Sequence, residues 1–157
     1  MTDFAPQDLD FEARIRASFD RQAFMHHIGA ELAAVEPGGA EIRLPWRPEL
    51  GQQHGYFHGG VIGAIADNAC GYAASSLAAA TDSVLTVEYK LNLIAPSKGE
   101  TLIAWGVAVK PGRTLTVCKA KVYALVKGEK QLCAVALETL MLLPDTPDNP
   151  DRDRDSS

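Results

Sequence analysis

Residues 59–81 read GGVIGAIADNACGYAASSLAAAT, 23 positions that carry one charge, Asp67. A run so poor in charge has to be buried, and a membrane is the first place to consider. The residues themselves argue against a span. Asp67 lies inside the run, and Ala, Gly, Ser and Asn stand where a span would draw on Leu, Ile and Phe. A helix that is apolar on nearly every face but built from small side chains suits the centre of a soluble fold, with other elements packed closely around it. The rest of the chain has to wrap it.

The C-terminal half is able to do so. Residues 83–94, 100–110, 113–126 and 130–143 are long β-branched-rich runs separated by APSKG, PG and KGE, which predicts an antiparallel meander. Before the helix, the chain from Met25 to Glu36 reads as a strand ending at Pro37-Gly38-Gly39. It pairs with AEIRLPW, where Ile42, Leu44 and Trp46 alternate with Glu41 and Arg43. Phe11, Ile15 and Phe19 stand four apart, as on an amphipathic helix. A hairpin, one long helix and four long strands indicate an α+β fold with a single curved antiparallel sheet. The expected segments are residues 1–23 as an N-terminal helical piece, 24–143 as the domain, and 144–157 as a disordered acidic tail.

At 157 residues and 46% hydrophobic content the chain makes one domain, too small to wall a deep private cleft by itself. A second copy is the expected source of the missing wall. The tail from Pro144 holds five Asp and two Arg, which is −3 of the net −5, so the body is nearly neutral. No basic block is present to grip a phosphate backbone, and nucleic acid is not expected as a ligand. Cys70, Cys118 and Cys133 form no CxxC pair and read as reduced core residues, with no metal cage. The first residues lack a secretory apolar region, and the expected location is cytoplasmic, away from the membrane.

Two features carry chemistry. Asp67 sits in an apolar helix with no Lys or Arg three or four residues away, and an unpaired buried carboxylate is costly unless it is used. The bland alternative is that Asn68, tyrosine hydroxyls or buried water satisfy it. His58-Gly59-Gly60 begins the same helix, where free N–H groups and the helix dipole favour negative charge, so the Gly59 N–H can hold an oxyanion. Eight helical residues separate Gly59 from Asp67, roughly 12 Å at the helical rise. The two cannot meet on one carbonyl within a chain. Two helices antiparallel across a two-fold axis could bring them together, with Gly63, Ala64, Gly71 and Ala74 allowing close approach.

The string QQHGYFHGGVIGAIADNACGYAAS, followed by TVEYKLNLIAPSKGE and the PGR turn, resembles hot-dog-fold acyl-CoA thioesterases of the PaaI type, over roughly residues 20–143. The resemblance implies a long helix wrapped by a curved sheet and hydrolysis of acyl-CoA thioesters. It makes Asp67 the catalytic carboxylate, either as general base for water or as nucleophile through a mixed anhydride. Gly59, with Gly60 beside it, would polarise the thioester carbonyl, and His58 would shape that turn. Gln52 holds the slot of an Asn or Gln that hydrogen-bonds near the reacting group, and Thr86 falls where Ser or Thr holds the lytic water. Lys90, Arg113 and Lys119 are the candidates for the phosphates of coenzyme A. That molecule belongs to the substrate, so no cofactor is expected. A homodimer, paired again into a tetramer, is the implied assembly.

Rival readings are weaker. A hot-dog dehydratase would need a catalytic His on different spacing, and a non-catalytic acyl-CoA-binding module would leave Asp67 without a purpose. His26-His27 has no metal-ligand spacing. Cys70 lies one turn beyond Asp67 with no His to activate it. Trp46 and Trp105 read as core residues, and Trp46, Tyr56, Phe57 or Tyr72 could line an acyl tunnel.

Overall fold

The computed structural model describes residues 4–146 and 148. Helices α1 (Phe11–Phe19) and α2 (Ala23–Ile28) lead into the hairpin β1 (Glu31–Glu36) and β2 (Gly39–Pro45). A 3-10 turn (Pro48–Leu50) precedes the long helix α3 (Gly59–Ser75). Strands β3 (Ser83–Leu93), β4 (Thr101–Lys110), β5 (Leu115–Val126) and β6 (Glu129–Leu143) complete the chain. All strands join one antiparallel sheet in the order β1-β2-β4-β5-β6-β3, and α3 touches every one of them. The α+β architecture expected from the hydrophobic pattern is the one observed.

The strand order departs from a simple meander. β4, β5 and β6 follow one another, but β3 pairs with β6 at the far edge of the sheet and not with β4. The helix explains the jump: 17 residues reach ~25 Å. The four inter-strand steps from β2 to β3 cover ~19 Å. α3 thus carries the chain across the sheet before β3 begins. Contact with the sheet is close enough that a Cβ at Gly106 of β4 would stand 2.4 Å from the carbonyl carbon of Ala69. Ile62, Ile65, Ala66, Ala69, Cys70 and Ala73 of α3 are buried in the core so formed.

Two boundaries differ from the sequence reading. Residues expected to open the first strand form α2, because Met25 and Ile28, three apart, bury on one helical face. Gly29, at φ +77°, then ends the turn, with its N–H bonded to the His26 carbonyl. α3 stops at Ser75, short of residue 81. Arg14 of α1 reaches its C-terminal end and donates to the carbonyls of Ser75 (3.1 Å) and Ala78 (3.2 Å), satisfying groups a longer helix would have used. The same guanidinium holds the Asp8 carboxyl below the usual carboxylate range, at 2.8 Å. Most of the acidic tail lies outside the described residues. Within them, Asp148 is held by the Ser18 hydroxyl and by Arg21 at 3.5 Å.

Candidate active site

The start of α3 is built as its sequence suggests. His58 is extended (φ −65°, ψ 138°) and caps the helix, its Nδ1 accepting from the Gly60 N–H at 2.9 Å. Val61 and Ile62 donate to the His58 carbonyl at 3.1 and 3.3 Å. Among the described residues this leaves the Gly59 N–H as the unused donor of that turn, at the positive end of the helix dipole. The preceding loop is fixed by backbone bonds from His58 to Leu50 (2.8 Å) and from Phe57 to Ser97 (2.9 Å). Phe57 also packs edge-on against Trp46, with ring centroids 4.8 Å apart. Gln52 lies in this loop with its side-chain oxygen accepting from the His54 N–H, a bond that shapes the loop itself.

Asp67 lies two turns further on, half-buried, and its Oδ1 accepts a 2.6 Å hydrogen bond from the Thr86 hydroxyl. Among the described residues neither Asn68 nor a tyrosine hydroxyl bonds to it. β3 runs alongside α3 in the opposite sense. A Cβ at Gly59 would meet Leu93 at 3.1 Å, and one at Gly63 would meet the Tyr89 hydroxyl at 3.0 Å. A bulge between Thr86 and Glu88 lets Thr86 and Tyr89, three residues apart, both face the helix. Gly63 therefore seats the chain's own sheet, and Ala74 is buried with it. Ala64 and Gly71 of the same small-residue stripe stay partly exposed.

A cavity of about 570 Å³ opens beside Asp67 and Thr86 and runs along α3 past Asn68, Gly71 and Tyr72 to Gln22. Its far wall is a polar relay. Asn68 Nδ2 donates to Gln22 Oε1 at 2.8 Å, Gln22 Nε2 donates to the Tyr72 hydroxyl at 2.7 Å, and Ser18 Oγ lies 3.2 Å from that hydroxyl. Burial raises the Tyr72 phenol above its usual range. Of the aromatics considered for a tunnel, Tyr72 lines this cavity, while Trp46 and Phe57 pack on each other away from it. Trp105 is half-buried on the opposite face of the sheet from Ala104, outside the core in which the sequence placed it.

Sequence reasoning missed the acid under the helix. Glu138 of β6 is 1% exposed, and neither carboxyl oxygen has a hydrogen-bond partner among the described residues. Burial, with the Asp67 charge adding to it and the Cys70 thiol opposing, pushes Glu138 up to about 8. Its signal in the sequence was a lone charge inside the apolar run AVALETLMLL. The neighbouring Cys118 thiol, burial and the Glu138 charge raise Cys70, so it stays a protonated core residue. All three cysteines are free and buried.

The basic candidates separate into two groups. Lys90 of β3 and Lys119 of β5 both pair with Leu137 of β6, which sets them two strands apart in one exposed row across the outer face, roughly 10 Å from each other. Arg113 is exposed in the β4–β5 turn and stands apart from them. Among the described residues no group of three or more His, Cys, Asp or Glu could hold a metal ion, and no helix is long and apolar enough to cross a membrane.

Gly59 and Asp67 remain at opposite ends of this helix segment, so one chain presents a carboxylate and cavity at one place and a free backbone N–H at another. Comparison with known proteins gives this arrangement its family. The sequence pattern of the thioesterase superfamily matches residues 54–130. The crystal structure of a thioesterase family protein from Silicibacter pomeroyi is 42% identical, covers 85% of this chain and 98% of its own, and superposes with a TM-score of 0.84. The 1,4-dihydroxy-2-naphthoyl-CoA hydrolase of Listeria monocytogenes is 29% identical over 68% of this chain and 85% of its own. In fold, the chain is also similar to the PaaI protein of E. coli, with 16% identity and a TM-score of 0.80 over 90% of this chain and 99% of that one. The chain belongs to the thioesterase superfamily and is a thioester hydrolase of the hot-dog fold.

Proposed function

We propose that the protein hydrolyses acyl-CoA thioesters to free acid and coenzyme A, with Asp67 as the working carboxylate. The observation that carries this reading is the Asp67 carboxylate itself, steered by Thr86 and opening onto a cavity of about 570 Å³, a size suited to a small acyl group. Water held on Oδ2 of Asp67, beside the Thr86 hydroxyl that fixes Oδ1, gives up its proton to the carboxylate as it attacks the thioester carbonyl. The same carboxylate could instead attack directly and form a mixed anhydride. The Gly59 N–H of a second copy holds the oxyanion in either case, helped by the helix dipole and kept in place by the His58 cap. Lys90 and Lys119, exposed in one row on the outer face, would meet the phosphates of coenzyme A. No cofactor is needed, because coenzyme A arrives as part of the substrate.

The free edge of the sheet supports the second copy. β3 has a partner on one side only, and Leu85 (59% exposed), Val87, Tyr89, Leu93 and Ile94 stand open along it. A long apolar edge strand invites a second strand, and pairing with itself across a two-fold axis gives a closed homodimer. The polar relay at Tyr72 favours an aromatic acyl group that carries a hydroxyl, which the relay at the far end of the cavity would bind. The Listeria relative, whose name records a dihydroxynaphthoyl thioester, is in keeping with this.

Thiol release from acetyl-, hexanoyl-, phenylacetyl- and 4-hydroxyphenylacetyl-CoA tests the proposal. Turnover of at least one, lost in Asp67→Asn, is the expected result. Tight binding of a thioester without turnover would favour an acyl-CoA-binding module.

A further inference from the structure

We propose that Glu138 is a positioning residue for Asp67: a neutral acid seated behind the working carboxylate, whose ionisation suppresses turnover. The inference rests on Asp67 being that carboxylate.

The placement comes from register. Asp67 lies on α3 between Gly63 and Gly71, whose faces meet Tyr89 of β3 and Leu140 of β6. Glu138 is the β6 partner of Tyr89 and lies two residues before Leu140, so it shares the helix-facing side of β6 in that same interval. The titratable groups around it are Asp67 and Cys70 on α3, Cys118 as its partner on β5, and Tyr89 on β3. No cation is among them. A carboxyl group that is 1% exposed, with no hydrogen-bond partner within normal reach of either oxygen and the Asp67 charge outweighing the Cys70 thiol, is stable in the neutral form.

In that form it fills the space behind α3 without adding charge, and the single negative charge of the pair resides on Asp67. Ionised, it would place a second anion on the same desolvated face. That anion would oppose the negative charge gathering on the tetrahedral intermediate. Burial and Asp67 together push Glu138 up to about 8, which sets where the loss of turnover should fall.

The test uses the intact protein and two independent readouts. Infrared spectroscopy of wild type at pH 6 should show the carbonyl stretch of a protonated carboxylic acid. The band should fade as pH rises through about 8 and be absent from Glu138→Gln at every pH. In Asp67→Asn its midpoint should move to lower pH, because the charge that raised it has gone. Since this readout needs no substrate, its failure is separate from failure of the thioesterase reading. Hydrolysis of 4-hydroxyphenylacetyl-CoA should fall at least ~10-fold across the same pH range in wild type and stay level in Glu138→Gln. If the Gln variant does not fold, Glu138→Leu takes its place and should give the same level profile. No band in wild type at pH 6, a midpoint unmoved by Asp67→Asn, or the same alkaline fall in the neutral variant as in wild type would each overturn the proposal.

Discussion

The Thr86 hydroxyl donates a 2.6 Å hydrogen bond to Oδ1 of Asp67, joining the middle of α3 to the first half of the strand after it. The bond orients the carboxylate toward the cavity and leaves Oδ2 for water. Asp67→Asn should lower kcat at least ~100-fold with substrate binding largely kept. Thr86→Val should cost roughly 10-fold in kcat, and Thr86→Ser should restore most of it, as measured by steady-state thiol release.

The proposed site, shared between two copies, would let two inactive variants rescue each other. Asp67→Asn and Gly59→Val should each be inactive as homodimers. Mixed after unfolding and refolding together, they should recover about a quarter of wild-type activity, because half the dimers are mixed and each carries one intact site. Absence of any rescue, or an active Gly59→Val homodimer, would overturn the shared site.

Glu138 also makes stability depend on pH. Its folded-state value of about 8 lies above its ordinary 4.5, so the folded state binds the proton more tightly. The contribution is full below about pH 4.5 and is lost progressively up to about pH 8, by at most ~1.4 kcal/mol per pH unit. Glu138→Gln removes this dependence. Its melting temperature relative to wild type should rise steadily between pH 5 and 8 and level off above that, as read by circular dichroism.

Gly106 is where α3 presses hardest on the sheet. Gly106→Ala should destabilise the fold by about 2–3 kcal/mol, because the added carbon meets backbone of Ala69 and Cys70, which cannot swing aside. Urea denaturation would show it as a lowered midpoint at unchanged slope.

The relay of Asn68, Gln22 and Tyr72 should read the acyl group. Tyr72→Phe should reduce the preference for 4-hydroxyphenylacetyl-CoA over phenylacetyl-CoA by about 10-fold in kcat/KM while leaving the unsubstituted substrate within about threefold. Equal effects on the two substrates would show that the hydroxyl of Tyr72 is not what the ligand meets.

The parts of this protein legible in its sequence are those governed by local physics. Charge depletion between residues 59 and 81 marked the buried helix, β-branched runs marked the strands to within a residue or two, and a glycine pair after His58 marked a helix start that uses its own cap. Asp67 stood out because a charge in an apolar helix is costly wherever the helix lies. Tertiary structure decided the rest. β3 is placed against β6 by the length of α3, a matter of distance across the sheet that no local pattern encodes. The bulge after Thr86 turned a strand residue toward Asp67 by shifting register one position. The burial of Glu138 follows from the pairing of three strands and the seating of the helix, which close water away from both its oxygens. Which groups share a desolvated space depends on contacts between residues distant in the chain, and those exist only once the helix has been wrapped.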